Sequence, residues 1–265
     1  MQHRATELEL LAADLAEAWR NAGVIDELPE QRRPSNRAEA YAVQDAMARL
    51  LGEPVSGWKV GATSQRMREL DGHDDVIPGR MFASTTYTGT DLELPAARFP
   101  DARVETEFAF RLVQDLELRE QSWTAEEVAA RLAFHPAIEI IGNRYPKGSH
   151  APYVGSLEII ADNGGGIGFV FGEAVTDIGG VDFRNHPITL RVDEGEAAEN
   201  FLGEMRCVPF EAVADLANHL ASRGEALHNG DFVSTGAATV PQHIKQGSHV
   251  EADFGVLGTI RVHFT

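Results

Sequence analysis

Basic residues, cysteine and long apolar runs are all scarce in this chain of 265 residues, and each shortage excludes a class of function. Lys and Arg total 23 against 41 Asp and Glu, a formal charge of −18. A nucleic-acid binder, which needs Lys and Arg to neutralise phosphates, is therefore not expected. An anionic membrane surface is disfavoured for the same reason. The single cysteine, Cys207, has no intrachain partner, so a disulfide-stapled secreted scaffold is excluded. Free cysteine of this kind is usually a small core residue. The longest stretch without Asp, Glu, Lys or Arg runs from Phe232 to Ile244, too short and too polar to span a bilayer. Charged residues from Arg4 to Arg20 leave no apolar core for a signal peptide, and a cytoplasmic location is the expectation.

What is present is ordinary for a globular protein: 43% hydrophobic and 24% charged residues. Leu8, Leu11, Leu15 and Trp19 have helical spacing up to the stop at Asn21-Ala22-Gly23. Asn36 with Glu39 resembles a capping box for a second helix lined by Tyr41, Met47, Leu50 and Leu51. From Val55 to about Pro100, repeated Gly and Pro predict short strands and turns. Val104 to Leu112 alternates as a strand, with Glu105, Glu107 and Ala109 on one face. Thr124 with Glu127 caps a short helix that runs through Val128, Leu132 and Phe134 and stops at Pro136, ahead of a buried strand from Ala137 to Ile141. Asp162 to Gly166 is a flexible turn before the apolar run Ile167 to Phe171. A strand from Ile188 to Val192, a helix from Phe210 to Arg223, and strands at Phe232 to Thr235, His249 to Phe254 and Thr259 to Phe264 complete the reading. Without regular β-α alternation, repeats or an interdomain linker, the expected class is α+β with an extensive mixed sheet.

The sharpest chemical signal is Glu105-Thr106-Glu107 within an apolar strand. Residues i and i+2 of a strand share a face, with Cα atoms roughly 6.5–7 Å apart, so the two carboxylates converge. An isolated pair of this kind is usually a solvated strand face. Glu139 tips the balance, because it lies in the buried run Pro136 to Ile141, where an unpaired carboxylate costs several kcal/mol or takes up a proton. Three strand-borne carboxylates make an all-oxygen site for a hard divalent cation, Mg²⁺ or Mn²⁺, rather than for Zn²⁺. Lys59, in Gly57-Trp58-Lys59-Val60-Gly61, is either a strand lysine with its head in water or a desolvated group of lowered pKa for proton transfer or for holding an oxyanion. Ser234-Thr235-Gly236 is a hydroxyl-rich turn able to face an anion, a weak signal alone. Nucleophile-elbow, phosphate-loop and dinucleotide-binding motifs are missing, and His135 beside Pro136 is read as structural.

Taken together, Gly57 to Gly61, Val104 to Phe110, Pro136 to Arg144, Ala161-Asp162-Asn163, Gly230-Asp231 and Ser234-Thr235-Gly236 resemble the 2-keto-4-pentenoate hydratase family of the fumarylacetoacetate hydrolase superfamily, collinearly from about Pro34 onward. The resemblance implies an N-terminal helical segment (1–55) and a metal-binding mixed β-roll (56–265) forming one unit. It implies Mg²⁺ or Mn²⁺ on Glu105, Glu107 and Glu139, Lys59 in proton transfer, and substrate binding by Ser234, Thr235, Gly236, Asp162 and Asn163. It further implies a cytoplasmic homo-oligomer and a metal-dependent lyase of aromatic-compound catabolism whose substrate is a small anionic 2-oxo acid. Hydration of a 2-hydroxy-dienoate comes first, then decarboxylation of an unsaturated 2-oxo diacid, then acylpyruvate C–C hydrolysis; a catalytically silent small-acid binder is the reading from another class. Two departures stand out. Where the family carries an acid within a Pro-Asp-aromatic-Gly stretch, this chain has Ile77, which Asp74 or Asp75 replaces only if the loop shifts register. Gly164, Gly165 and Gly166 also offer no hydroxyl where the family often has Ser.

Overall fold

The computed structural model of the chain describes residues 2–149 and 151–265, so Met1 of the expected N-terminal segment lies outside it. Two helices come first, α1 (Gln2–Arg20) and α2 (Arg37–Leu51). The Asn36 side chain accepts from the Glu39 N–H to start α2, and Gly52 closes it in the left-handed conformation. Tyr41, Val43, Gln44 and Met47 are buried along α2, but Leu50, expected on the same side, is exposed.

The remainder forms two sheets. Along the chain come β1 (Val55–Gly61), α3 (Gln65–Asp71), β2 (Ile77–Phe82), β3 (Thr86–Thr88), β4 (Asp91–Leu94), β5 (Arg103–Leu112), α4 (Ala125–Ala129) and β6 (Leu132–Ile141). Then follow α5 (Ser156–Ala161), β7 (Gly166–Phe171), β8 (Thr189–Val192), α6 (Pro209–Ser222), β9 (Phe232–Ala237), β10 (Gln242–His243), β11 (His249–Asp253) and β12 (Thr259–Phe264). The large mixed sheet has the order β2-β1-β9-β5-β6-β7-β3, with β10 paired to the start of β5; the small sheet has the order β4-β12-β11-β8. This is the α+β architecture that the patterning predicts. Phe108 and Phe110 of β5, on the face opposite the glutamates, pack with Phe134, Phe183, Phe210 and Phe254 to form the aromatic core beneath the large sheet. Each such ring contributes about 1.5–3 kcal/mol by leaving water.

Two expectations are corrected here. The helix after Thr124 has its full capping box but ends at Ala129, and Leu132, Phe134 and Pro136 already belong to β6. Pro136 is tolerated inside a strand for a visible reason. Its carbonyl accepts from the Gly172 N–H, so the N–H it lacks would face Gly172 as well; Nδ1–H of His135 donates to the Gly172 carbonyl at 2.7 Å instead. The segment after Asp162 is no flexible turn either: Asn163, Gly164 and Gly165 are buried with positive φ and packed against β2 and α5.

Candidate metal centre

Register on β5 and β6 assembles the acids. Glu105 lies directly opposite Glu139, and Glu107 stands two residues farther along the same face. All three are buried, and each offers an oxygen within 4.8 Å of the others. Among the described residues they are the one cluster of this kind. Glu107 is fixed by β9: the Ser234 hydroxyl and the Gly236 N–H, the latter at 2.9 Å, both donate to its Oε2. A register irregularity between Glu107 and Ala109 lets the end of β9 approach in this way. Among the described residues, neither oxygen of Glu139 has a hydrogen-bond partner.

β1 adds Lys59. Its Nζ donates to the Gly164 carbonyl at 2.9 Å and stands 3.4 Å from Glu139 Oε1. Glycines make the room. A Cβ on Gly79 would overlap the Asn163 carbonyl, one on Gly166 would meet Glu139 Oε1 at 2.6 Å, and one on Gly164 would press on the Lys59 stem at 3.1 Å. Gly79 lies inside a buried strand, the local signal of close approach that a reading of the sequence passes over. Farther along the same face, Met81, Ala109, Ala137, Phe169, Phe171 and Phe232 form a separate apolar cluster, with the Phe171 and Phe232 rings stacked 4.1 Å apart.

The electrostatics follow from this burial. Desolvation, with Glu139 repulsion second, pushes Glu105 up to about 8. Desolvation also raises Glu107 and carries Glu139 well above the usual carboxylate range. For Lys59, burial alone would lower the pKa, but attraction to Glu139, Glu107 and Glu105 outweighs it and the net direction is upward. Of the two readings of Lys59, burial excludes the head in water, and the neighbouring carboxylates turn the shift of the buried alternative from downward to upward, which favours the ammonium. Three crowded carboxylates facing one ammonium, with Glu139 Oε1 held only by the Lys59 ion pair and Oε2 free of any hydrogen bond from the described residues, fit a divalent cation held by oxygen donors.

The remaining candidates lie nearby but point elsewhere. The Thr235 hydroxyl donates to the Phe108 carbonyl, away from the triad. Asp162 is fully buried against Arg144, its Oδ1 accepting from Nη1 at 2.7 Å and its Oδ2 from the Arg144 N–H at 2.6 Å. Asn163 clamps the Arg80 backbone, accepting from its N–H and donating to its carbonyl. The register places Ile77 opposite Gly61, on the Lys59 face. Asp75 instead turns to His219 at 2.8 Å, and Asp74 is exposed, so neither takes the place of an acid at 77.

No family model matches the chain. The 4-oxalocrotonate decarboxylase of a Pseudomonas species is 32% identical over 211 residues, 77% of this chain and 76% of that protein. The chain belongs to the 2-keto-4-pentenoate hydratase and 4-oxalocrotonate decarboxylase family. The 2-keto-4-pentenoate hydratase of Burkholderia vietnamiensis is 29% identical over 260 residues, 96% of each chain. The 4-oxalocrotonate decarboxylase from Pseudomonas putida G7, solved in complex with magnesium and adipate, superposes with a TM-score of 0.84 at 22% identity, covering 98% of each chain. That likeness establishes the fumarylacetoacetate hydrolase type of fold. As a member of the hydratase and decarboxylase family, the chain is a lyase. No helix among its described residues is long and apolar enough to cross a membrane.

Proposed function

We propose that this lyase hydrates a 2-hydroxy-dienoate, the enol of a small unsaturated 2-oxo acid, with Mg²⁺ or Mn²⁺ on Glu105, Glu107 and Glu139. The observation that carries the reading is the meeting of three buried, mutually close carboxylates with the Lys59 ammonium on one sheet face. A hard cation suits the all-oxygen donor set, and relatives named for hydration match over nearly their whole length. When bound, the cation supplies Lewis-acid polarisation of the 2-oxo group and offsets the carboxylate charge.

The chain's own residues do the rest. Ser234 and Gly236 hold one Glu107 oxygen and so set the orientation of the other. Lys59, protonated and fixed by Gly164, donates to the C2 oxygen and stabilises the negative charge that builds there twice. Charge builds first as the enol proton leaves and C5 is protonated, and again as water adds at C4 before C3 is protonated, so that the product keeps its C2 ketone. Ile77 gives this face an apolar wall where an acid would otherwise add a second proton donor. The aromatic cluster closes the face beyond the triad and keeps bulk water out from that side.

Decarboxylation of an unsaturated 2-oxo diacid is the second reading, favoured by the 32% identical relative. Incubation with Mg²⁺ and a panel of 2-hydroxy-dienoates and unsaturated 2-oxo diacids separates the two: hydration consumes the dienol without releasing CO₂, and stoichiometric CO₂ replaces the first reading by the second. If Glu139→Gln leaves both Mg²⁺ binding and turnover intact, the metal assignment fails. Homo-oligomerisation, expected from the resemblance, is checked by light scattering on the purified protein.

A further inference from the structure

We propose that His249 and His263 form a second metal site, for a borderline divalent ion such as Zn²⁺, on the outer face of the small sheet. β11 and β12 alternate cleanly, sending Val250, Ala252, Ile260 and Val262 inward and His249, Glu251, Arg261 and His263 outward. His249 and His263 are direct cross-strand partners. The Phe264 N–H donates to the Ser248 carbonyl, which makes the preceding pair a hydrogen-bonded position and His249/His263 a non-hydrogen-bonded one, where side chains come closest. Their rings lie 4.1 Å apart and within 12° of parallel.

The row continues on both sides with acids. Glu93 of β4 is the register partner of His263, and its Oε1 stands 3.8 Å from His263 Nδ1. Asp193, just past β8, accepts from the His249 N–H at 2.8 Å. Asp193 holds only the His249 backbone, but a small shift of the Glu93 side chain lets it accept from His263 Nδ1–H, which would leave Nε2 as the ligating atom, the arrangement found behind metal-bound histidines. Two imidazole nitrogens of one tetrahedral ion lie roughly 3.3 Å apart at Zn–N distances of 2.0–2.1 Å, so the ion would turn both exposed rings out of their parallel stack until their planes meet at it, with water completing the shell. Imidazole donors favour Zn²⁺ and its transition-metal neighbours over Mg²⁺, so this site and the buried triad select different ions. A bound ion would staple β12, the last strand, to β11.

Equilibrium dialysis of the intact protein against Zn²⁺ is the test, run beside a His249→Gln/His263→Gln variant that keeps polar, exposed side chains at both positions. The wild type is expected to hold one more Zn²⁺ than the variant, while Mg²⁺-supported turnover is the same in both. Glu93→Gln should weaken that extra site by about 10–100-fold without removing it. Imidazole ¹⁵N resonances of both histidines should shift together as Zn²⁺ is added to the wild type. Equal Zn²⁺ stoichiometry and affinity in wild type and variant, or ¹⁵N shifts confined to other histidines, would overturn the proposal.

Discussion

The inner face of the large sheet carries two regions that share strands and differ in chemistry. Near one end stand Glu105, Glu107, Glu139, Lys59 and Ser234; one strand step farther along, Ala109, Ala137, Phe232 and their neighbours Phe169, Phe171 and Met81 form an apolar patch, bordered only at its far edge by Arg111 over the Phe232 ring. Strand alternation puts both regions on one face, so the apolar end is the floor of the polar end. The polar end is unusual because water cannot reach it from below. Its carboxylates are driven toward neutrality by desolvation, and the compensation must come from Lys59 and a cation.

The comparison is tested most severely at the polar end. Lys59→Ala should lower kcat by about 10²–10⁴-fold with the fold retained, measured by steady-state turnover alongside circular dichroism. At the apolar end the order of effects reverses. Phe171→Ala removes a ring stacked on Phe232 and should cost about 3–5 kcal/mol of stability in a urea titration, with a smaller loss of kcat in the fraction that stays folded. Gly166→Ala touches both regions, since its Cβ would meet Glu139 Oε1 and the Phe169 ring. It should destabilise by about 1–3 kcal/mol and also weaken Mg²⁺ binding by calorimetry. If stability alone changes, Glu139 is not a ligand. His135→Leu should cost about 1–3 kcal/mol, because the Gly172 carbonyl loses its donor, and should leave Mg²⁺ affinity untouched.

The smallest effect lies outside both regions, at the half-buried ion pair of Glu39 with Arg4 that ties α2 to α1. Hydrogen bonding to Arg4 holds Glu39 down at about 2. The pair's contribution, under about 1 kcal/mol for so exposed a contact, is fully present above the unfolded carboxylate value near 4.5 and lost as pH falls through about 2. The urea midpoints of wild type and Glu39→Gln should therefore differ slightly at pH 7 and converge only below about pH 2.

The legibility of these features in the sequence divides along physical lines. Glu105, Glu107 and Glu139 were visible because period-2 alternation and an acid in an apolar run are local signals, and the structure places them together. Strand β6 was misread at its start because a proline within a strand is unusual, and the donor that compensates for it is a side chain, His135. The tract from Asn163 to Gly166 looked flexible because composition records the absence of side chains and not what fills the space. Here the filling is Gly79, Lys59 and Glu139. The direction of the Lys59 pKa shift depends on how many carboxylates surround it, which only the pairing of strands distant in sequence determines.

That distance has a consequence for assembly in time. Glu105, Glu107 and Glu139 sit on neighbouring strands close in the chain, and their pairing closes a short loop. In the sheet, Lys59 joins them through β9, which pairs with β1 on one side and β5 on the other and lies far from β1 in the chain. Contacts of such long sequence separation form slowly. The acidic half of the centre can therefore gather before its ammonium arrives. A cation present during refolding would meet the acids first and offset their repulsion, so Mg²⁺ should speed refolding as well as stabilise its end state.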